Sequence, residues 1–418
     1  HAGLAAAFLR AGRYADAAEE AKRGQGVAWD AKDKLVEAEC LHLLGSVEYR
    51  RGEFEACAAH WQDALDQRRE SGDRRGEATS LQALGSVMPE VGLGDQALET
   101  KQEALAIFRE IGDRRGEGCA LNNLGNSFVD AQRLEEALPC YELAVDIARE
   151  CGDLPAEAAA LFNRGRAFAV VARIDEAKDC FERALDIFRE IGDPNGEAET
   201  LDELGWAIAG FGEREEAVRC LRTACEAAGN TGQHALLARS LRHLANVQHE
   251  LGEHQDAWQL YDRALGLGRS HGRGRLLSDM GNSALKEGDF TRAVELLQQA
   301  VTGQNHNQDQ GSRGLLAFCR LARAKKAAGL VTEAVAAAEQ AERLIESSQR
   351  VAPQHGPEVY YSLGTVLESE TRGRAYLGTA NDLLGARTRS IRSIVQRQHY
   401  LTMTWPNREI LEEARRIQ

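Results

Sequence analysis

A glycine, or a small residue in its place, returns about every forty residues, and this period constrains the fold more than any other feature of the chain. Gly45, Gly85, Gly125, Gly165, Gly205 and Ala245 are evenly spaced, and Gly281, Ala322 and Gly364 continue at steps of 36, 41 and 42. An apolar residue precedes nearly every one, as Leu44, Leu124, Leu204, Met280 and Leu363 do; Arg164 is the exception. Twelve residues further on stands a small residue, as at Cys57, Ala137, Ala217 and Ala334. Four later comes a large one in most units (Trp61, Tyr141, Phe181, Leu221, Tyr261, Leu297), and three after that an alanine. Steps of three and four keep to one face of a helix. A repeat of this length marks stacked supersecondary units. Each unit reads as a first helix, a short turn and a second helix, with small residues letting the two approach.

The punctuation agrees. Gly-Asp pairs at 72–73, 112–113, 152–153 and 192–193 separate consecutive units. Glycine suits the left-handed residue that ends a helix, and aspartate suits the N-cap of the next. Pro194 fits a first helical turn, where no amide hydrogen is needed. Gly52, Gly92, Gly212, Gly252, Gly288 and Gly329 mark the turn inside a unit.

Composition narrows the function classes. No apolar run approaches the ~18 residues of a membrane-spanning helix. The net charge of −14 argues against nucleic-acid binding over the whole surface. From Arg372 onward, however, nine arginines face four acids. The nine cysteines form no CxxC pair; Cys140, Cys180 and Cys220 recur at one repeat position and read as small buried residues in a reducing, cytoplasmic setting. The chain opens on His1, which reads as a fragment of a larger protein. There is no nucleotide-binding P-loop and no HExxH motif. His243, His249 and His254 are spaced by six and five, which argues against a metal cluster. The recurring GDRRGE reads as a solvated turn between units. No catalytic residue, metal site or cofactor is expected.

The pattern L-x-x-L-G…A-x-x-x-F/Y-x-x-A resembles the tetratricopeptide repeat, and residues 104–128 (ALAIFREIGDRRGEGCALNNLGNSF) are especially similar to its roughly 40-residue variety. That variety occurs in cell-polarity adaptors, kinesin light chains and the sensor arms of bacterial signalling ATPases. The resemblance implies an all-α, right-handed superhelical solenoid of about ten antiparallel helix pairs over residues 1–390. The units fall near 1–30, 36–70, 76–110, 116–150, 156–190, 196–229, 235–269, 273–303, 313–348 and 356–389. Residues 391–418 read as C-terminal capping helices, in which Ile410, Leu411, Ala414 and Ile417 form an apolar stripe. The tail WPNREIL resembles the end of helical arrays in bacterial regulators. Two polar stretches, 304–314 and 347–357, read as surface loops or hinges. Each unit is expected to touch mainly its neighbours.

The resemblance further implies that the first helix of each unit lines a concave groove at fixed offsets from the repeat glycine. The candidate partner-binding residues are Asn122, Asn126, Phe162, Arg166, Trp206, Arg239, Arg242, Asn246, Arg275, Asn282, Lys286, Arg323 and Lys326. Over all these offsets, units two to six carry a net −3 and units seven to nine +5. A groove of one sign steers a partner of the other. Asn126, Asn246 and Asn282 share one offset and suggest an amide ladder for an extended peptide. Phe162 and Trp206 suggest apolar anchors. Arg242 and Asn246 match two positions of the carboxylate clamp in chaperone-binding relatives, but Asp279 and Leu316 depart from it.

The reading that follows is a non-enzymatic protein-interaction scaffold, the sensor or adaptor arm of a larger bacterial signalling protein. Its partner would be a protein or peptide, with an acidic segment at units seven to nine. One alternative is nucleic-acid binding through Arg372, Arg374, Arg387, Arg389, Arg392 and Arg397. Another is a peptide-regulated phosphatase-like regulator, which would need a separate N-terminal bundle. No membrane partner is expected, and the sequence leaves the oligomeric state open.

Overall fold

The computed structural model describes residues 1–267, 272–302, 312–348, 351, 355–367, 371–391, 394–402 and 406–417, and every regular element among them is helical. The chain divides into two compact units, residues 1–163 and 164–418.

The first unit holds α1 (Ala2–Arg10), α2 (Tyr14–Ala31), α3 (Lys34–Arg51), α4 (Phe54–Ser71), α5 (Arg74–Val87), α6 (Gly94–Glu110), α7 (Arg114–Asp130), α8 (Leu134–Glu150) and the start of α9 (Leu154–Val170). Neighbours pack in hairpins, as α3 does with α4 and α7 with α8. The repeat glycine sets the distance between partners. A Cβ on Gly125 would lie 2.6 Å from the Tyr141 ring. Gly45 meets Trp61 in the same way, and in the second unit Gly165 meets Phe181 and Gly281 meets Leu297. The large residue thus lies flat on a bare stretch of backbone. Phe181 is fully buried, which favours the fold by roughly 1.5–3 kcal/mol. One pair breaks the rule. Gly85 faces Lys101, whose stem lies against the glycine while its Nζ donates to Ser127 Oγ across 2.6 Å.

The punctuation behaves as the residue types demand. Gly72 has φ +73, and Asp73 Oδ1 accepts from the Gly76 amide at 2.9 Å. Gly112 and Asp113 repeat the arrangement, and Pro194 opens a helix behind Asp193. Pro89 cuts α5 short, and a 3-10 turn (Met88–Val91) carries the chain to Gly92. The GDRRGE turn differs from expectation, because its glutamate is buried rather than solvated. Arg69 Nε and Arg74 Nη1 both donate to Glu77, and Arg109 and Arg114 do the same to Glu117. Burial works to raise both carboxyls, but the paired hydrogen bonds outweigh it and hold them below the usual range.

The second unit continues with α10 (Ile174–Ile191), α11 (Pro194–Ala209), α12 (Arg214–Asn230), α13 (His234–Glu250), α14 (His254–Leu267), α15 (Arg273–Glu287), α16 (Phe290–Thr302), α17 (Ser312–Ala327), α18 (Val331–Ser348), α19 (Gly356–Val366) and α20 (Thr371–Arg389). Two short helices, α21 (Ile394–Thr402) and α22 (Asn407–Ile417), close the chain. The last helix, α22, packs on α19 and α20 with Ile410 buried. The neighbour-only expectation fails at the other end of this segment. Arg387 Nη1 donates to the Val170 carbonyl at 3.0 Å. Gln396 Nε2 donates to Asp175 and Glu213. Tyr400 stacks on Phe211, with ring centroids 5.2 Å apart. The end of this unit therefore returns to its beginning. Most of 304–314 and the centre of 347–357 lie outside the described residues, as does Arg392.

Candidate functional site

The first helices of consecutive pairs in the second unit, α11, α13, α15, α17 and α19, pack each against the next. Side chains roughly 40 positions apart are thereby brought into reach, and the structure fills that strip with charge. Arg239 Nε lies 2.8 Å from Asp202 Oδ2. Arg242 Nη2 lies 2.8 Å from His243 Nε2, and a guanidinium can only donate, so Nε2 is the acceptor. His243 then carries its proton on Nδ1 and donates it to Asp202 Oδ1 at 3.0 Å. Arg242 Nη1 donates to Asp279 Oδ2, and Arg320 Nη1 donates to Asp279 Oδ1 at 2.7 Å. Arg320 Nε donates to Glu358 Oε1 at 2.7 Å. The ladder runs Arg239, Asp202, His243, Arg242, Asp279, Arg320, Glu358, and its formal charges cancel.

The local electrostatics follow from this chain. Burial would raise the Asp202 carboxyl, but His243 and Arg239 outweigh it and hold it at about 2. Asp279, between two guanidinium groups, is held well below the usual carboxylate range despite its burial. Burial, with Arg242 adjacent, pulls His243 down and keeps it neutral, while Asp202 opposes. Each buried charge is thus paired, the condition under which burial is tolerated.

On this locked imidazole lies Trp206. The rings stack with centroids 4.4 Å apart and an interplanar angle of 16°. Trp206 is 42% exposed, a rigidly backed aromatic face open to solvent.

The sequence candidates fall into three groups. In the first unit, Asn126 Oδ1 accepts from Tyr141 Oη at 2.7 Å, and Asn122 Oδ1 accepts from Asn163 Nδ2 at 3.0 Å. Phe162 is half-buried. Asn122 also lines a pocket of about 130 Å³ with Cys119, Ile147 and Cys151. In the second unit, Trp206, Arg239, Arg242 and Asn246 come together around the ladder, and Asn246 Nδ2 donates to Asp279 Oδ2 at 3.1 Å. Arg166 is exposed and 3.9 Å from Glu203; Arg275 is exposed at the start of α15. The remaining cations point to their own partners: Lys286 to Glu250 at 3.6 Å, Arg323 to Glu409 at 3.6 Å, and Lys326 to the Thr365 carbonyl. Asn282 is buried, and its Oδ1 accepts no hydrogen bond from the described residues.

The amide ladder has a local cause. Asn126 and Asn246 each hold the hydroxyl of a tyrosine fifteen residues later, Tyr141 and Tyr261. Asn282 faces Leu297 at that spacing and has no hydroxyl to hold. The basic half of the strip is likewise matched by acids: Asp202 for Arg239, Asp279 for Arg242 and Glu250 for Lys286. His243, Asp279 and Arg320 all stand two residues before the repeat position. A polar residue in that column of three successive units was the signal available.

A second cluster differs from expectation. His249 and His254, judged too far apart by spacing, are joined by Glu287 of the next helix pair. His249 Nε2 lies 2.9 Å and His254 Nδ1 3.6 Å from Glu287 Oε1. The turn at Gly252 (φ +86) folds α14 back so that both rings meet one carboxylate.

The arginine-rich C-terminus is partly engaged with the body. Arg372 Nη1 donates to Glu342 at 2.7 Å, and Arg397 Nη2 donates to the Ile391 carbonyl at 2.6 Å. Arg374 and Arg389 are exposed. Among the described residues no helix is long and apolar enough to cross a membrane, and no disulfide joins the cysteines.

Comparison with known proteins agrees with the helical hairpins. Residues 37–110, 90–150, 116–190 and 157–230 match the family described as Tetratricopeptide repeat. No curated protein matches the sequence. The chain is similar in fold to a Rap protein crystallised with competence and sporulation factor, at 13% identity and a TM-score of 0.53, over 91% of this chain and 99% of that one. It is similar to the apo quorum sensor NprR from B. thuringiensis, at 16% identity and 0.53, over 86% and 99%. It is also similar to aspartyl phosphate phosphatase F from Bacillus subtilis, at 17% and 0.51, over 63% and 68%.

Proposed function

The chain carries tetratricopeptide repeats, and on that premise we propose that it is a non-enzymatic interaction scaffold whose second unit takes a peptide or protein segment along α11, α13, α15 and α17. The observation that carries this reading is Trp206. Large aromatics exposed on a rigid support are the usual anchors of an interface, and here the support is an imidazole fixed on both sides by Asp202 and Arg242. A side chain seated on this ring meets a surface that needs no reorganisation.

The proposed partner is an extended segment with an apolar or aromatic side chain for Trp206, flanked by acids. Arg239 and Arg323 are partly exposed and held by carboxylates at 2.8 and 3.6 Å. An acidic segment would be read by exchange with these internal acids, which favours specificity over raw affinity. The fold-level likeness to a Rap protein bound to competence and sporulation factor and to a quorum sensor supports a peptide ligand, and with it a role as the sensor or adaptor arm of a larger signalling protein.

The test is selection of a random peptide library on the whole chain and, in parallel, on Trp206→Ala. Sequences that share a motif on the native chain and bind the variant at least tenfold more weakly support the reading. Selected peptides that bind both equally refute it.

A further inference from the structure

We propose that His249, His254 and Glu287 form a binding site for one divalent transition-metal ion of the zinc class. The three side chains come from the end of α13, the first residue of α14 and the end of α15. Their ligand atoms all lie within 4.8 Å of one another. An ion of this class sits about 2.0–2.2 Å from each nitrogen or oxygen ligand. Tetrahedral geometry then requires ligand atoms roughly 3.2–3.6 Å apart. The separations of 2.9 and 3.6 Å from the two imidazoles to Glu287 Oε1 bracket that requirement. The ring centroids are 4.5 Å apart, but the planes are inclined by 59°, so the rings converge on the carboxylate instead of stacking.

The surroundings fit a metal site as well. Trp258 Nε1 donates to Glu287 Oε1 at 3.0 Å, the kind of outer hydrogen bond that orients a ligating carboxylate. His249 is 5% exposed, whereas His254 reaches solvent and gives the ion an entry side. Two positive charges lie nearby: Lys286, which pairs with Glu250 at 3.6 Å but still acts on His249, and Arg292, which lies over the Trp258 ring at 3.6 Å. Two imidazoles and one carboxylate suit zinc, cobalt, nickel or copper, and not magnesium or calcium, which take oxygen ligands. Three protein ligands leave a fourth position for water or a side chain of a partner. Because Glu287 belongs to the next helix pair, the ion would staple α13 and α14 to α15.

The test is titration of the full chain with zinc sulfate by calorimetry, alongside His254→Ala and Glu287→Gln. Both substitutions are at solvent-accessible side chains, and a melting curve checks that each variant folds. One equivalent should bind the native chain, and each variant should lose at least tenfold in affinity. Cobalt-loaded protein should show ligand-field bands without thiolate charge transfer. No saturable binding, binding unchanged in both variants, or a thiolate band would overturn the site.

Discussion

Arg242 donates from Nη1 to Asp279 Oδ2 across 2.6 Å, and both side chains are buried where α13 meets α15. Arg320 holds the other oxygen of the same carboxylate, so one acid bridges two guanidinium groups from the helices on either side. Asp279→Asn would leave Arg242 buried without its counter-charge, while Arg320 would keep only Glu358. Breaking such a pair costs about 3–5 kcal/mol. An unfolding free energy from denaturant titration lowered by that amount is expected; a change under about 1 kcal/mol would show that the ladder is not holding these helices together.

The first unit should lose stability in mild acid through His42. Burial, with Arg68 close by, lowers its pKa to about 4. The unfolded imidazole takes up a proton below about 6.5 and the folded one does not until about 4, so stability falls as pH drops through that window. The loss amounts to about 3 kcal/mol. His42→Gln should flatten the profile of unfolding free energy between pH 6.5 and 4, and an unchanged slope would contradict the assignment.

Close approach of backbone and ring makes Gly125 irreplaceable. An added Cβ would lie 2.6 Å from Tyr141, whose hydroxyl is tied to Asn126. Gly125→Ala should destabilise by about 1–3 kcal/mol through overpacking. Gly26, in α2 with nothing within 4 Å, is the control. There alanine should stabilise by up to about 1 kcal/mol, because helix propensity alone decides. Thermal melts of the two variants should move in opposite directions.

The return of the second unit on itself rests on Tyr400, which is buried against Phe211 with Arg387 nearby. Tyr400→Ala should cost about 3–5 kcal/mol locally. The backbone amides of α20 and α21 should then exchange faster with deuterium, while those of α13 to α16 keep their rates. Exchange unchanged in α20 and α21 would show that the contact does not fasten this segment.

Much of the fold was legible because its cause is local. The Gly125–Tyr141 and Gly281–Leu297 pairs lie sixteen residues apart in sequence, and the Gly72–Asp73 turn is spelled in adjacent residues. The candidate site was legible only in part. Trp206 and Arg242 could be marked from their offsets, but what they do depends on His243, Asp279 and Arg320, which meet across neighbouring helix pairs. The same holds for Glu287, 38 residues from His249. The contact from Arg387 to Val170, 217 residues apart, depends on the curvature of the whole second unit, which no single repeat encodes.

The most direct test of the central claim is where a selected peptide lies. A peptide carrying a photo-crosslinker beside its apolar anchor should label α11 and α13, at or next to Trp206, Arg239 and Asn246, when the products are mapped by mass spectrometry. Labelling confined to α12, α14 and α16, the second helices of the same pairs, would contradict the account.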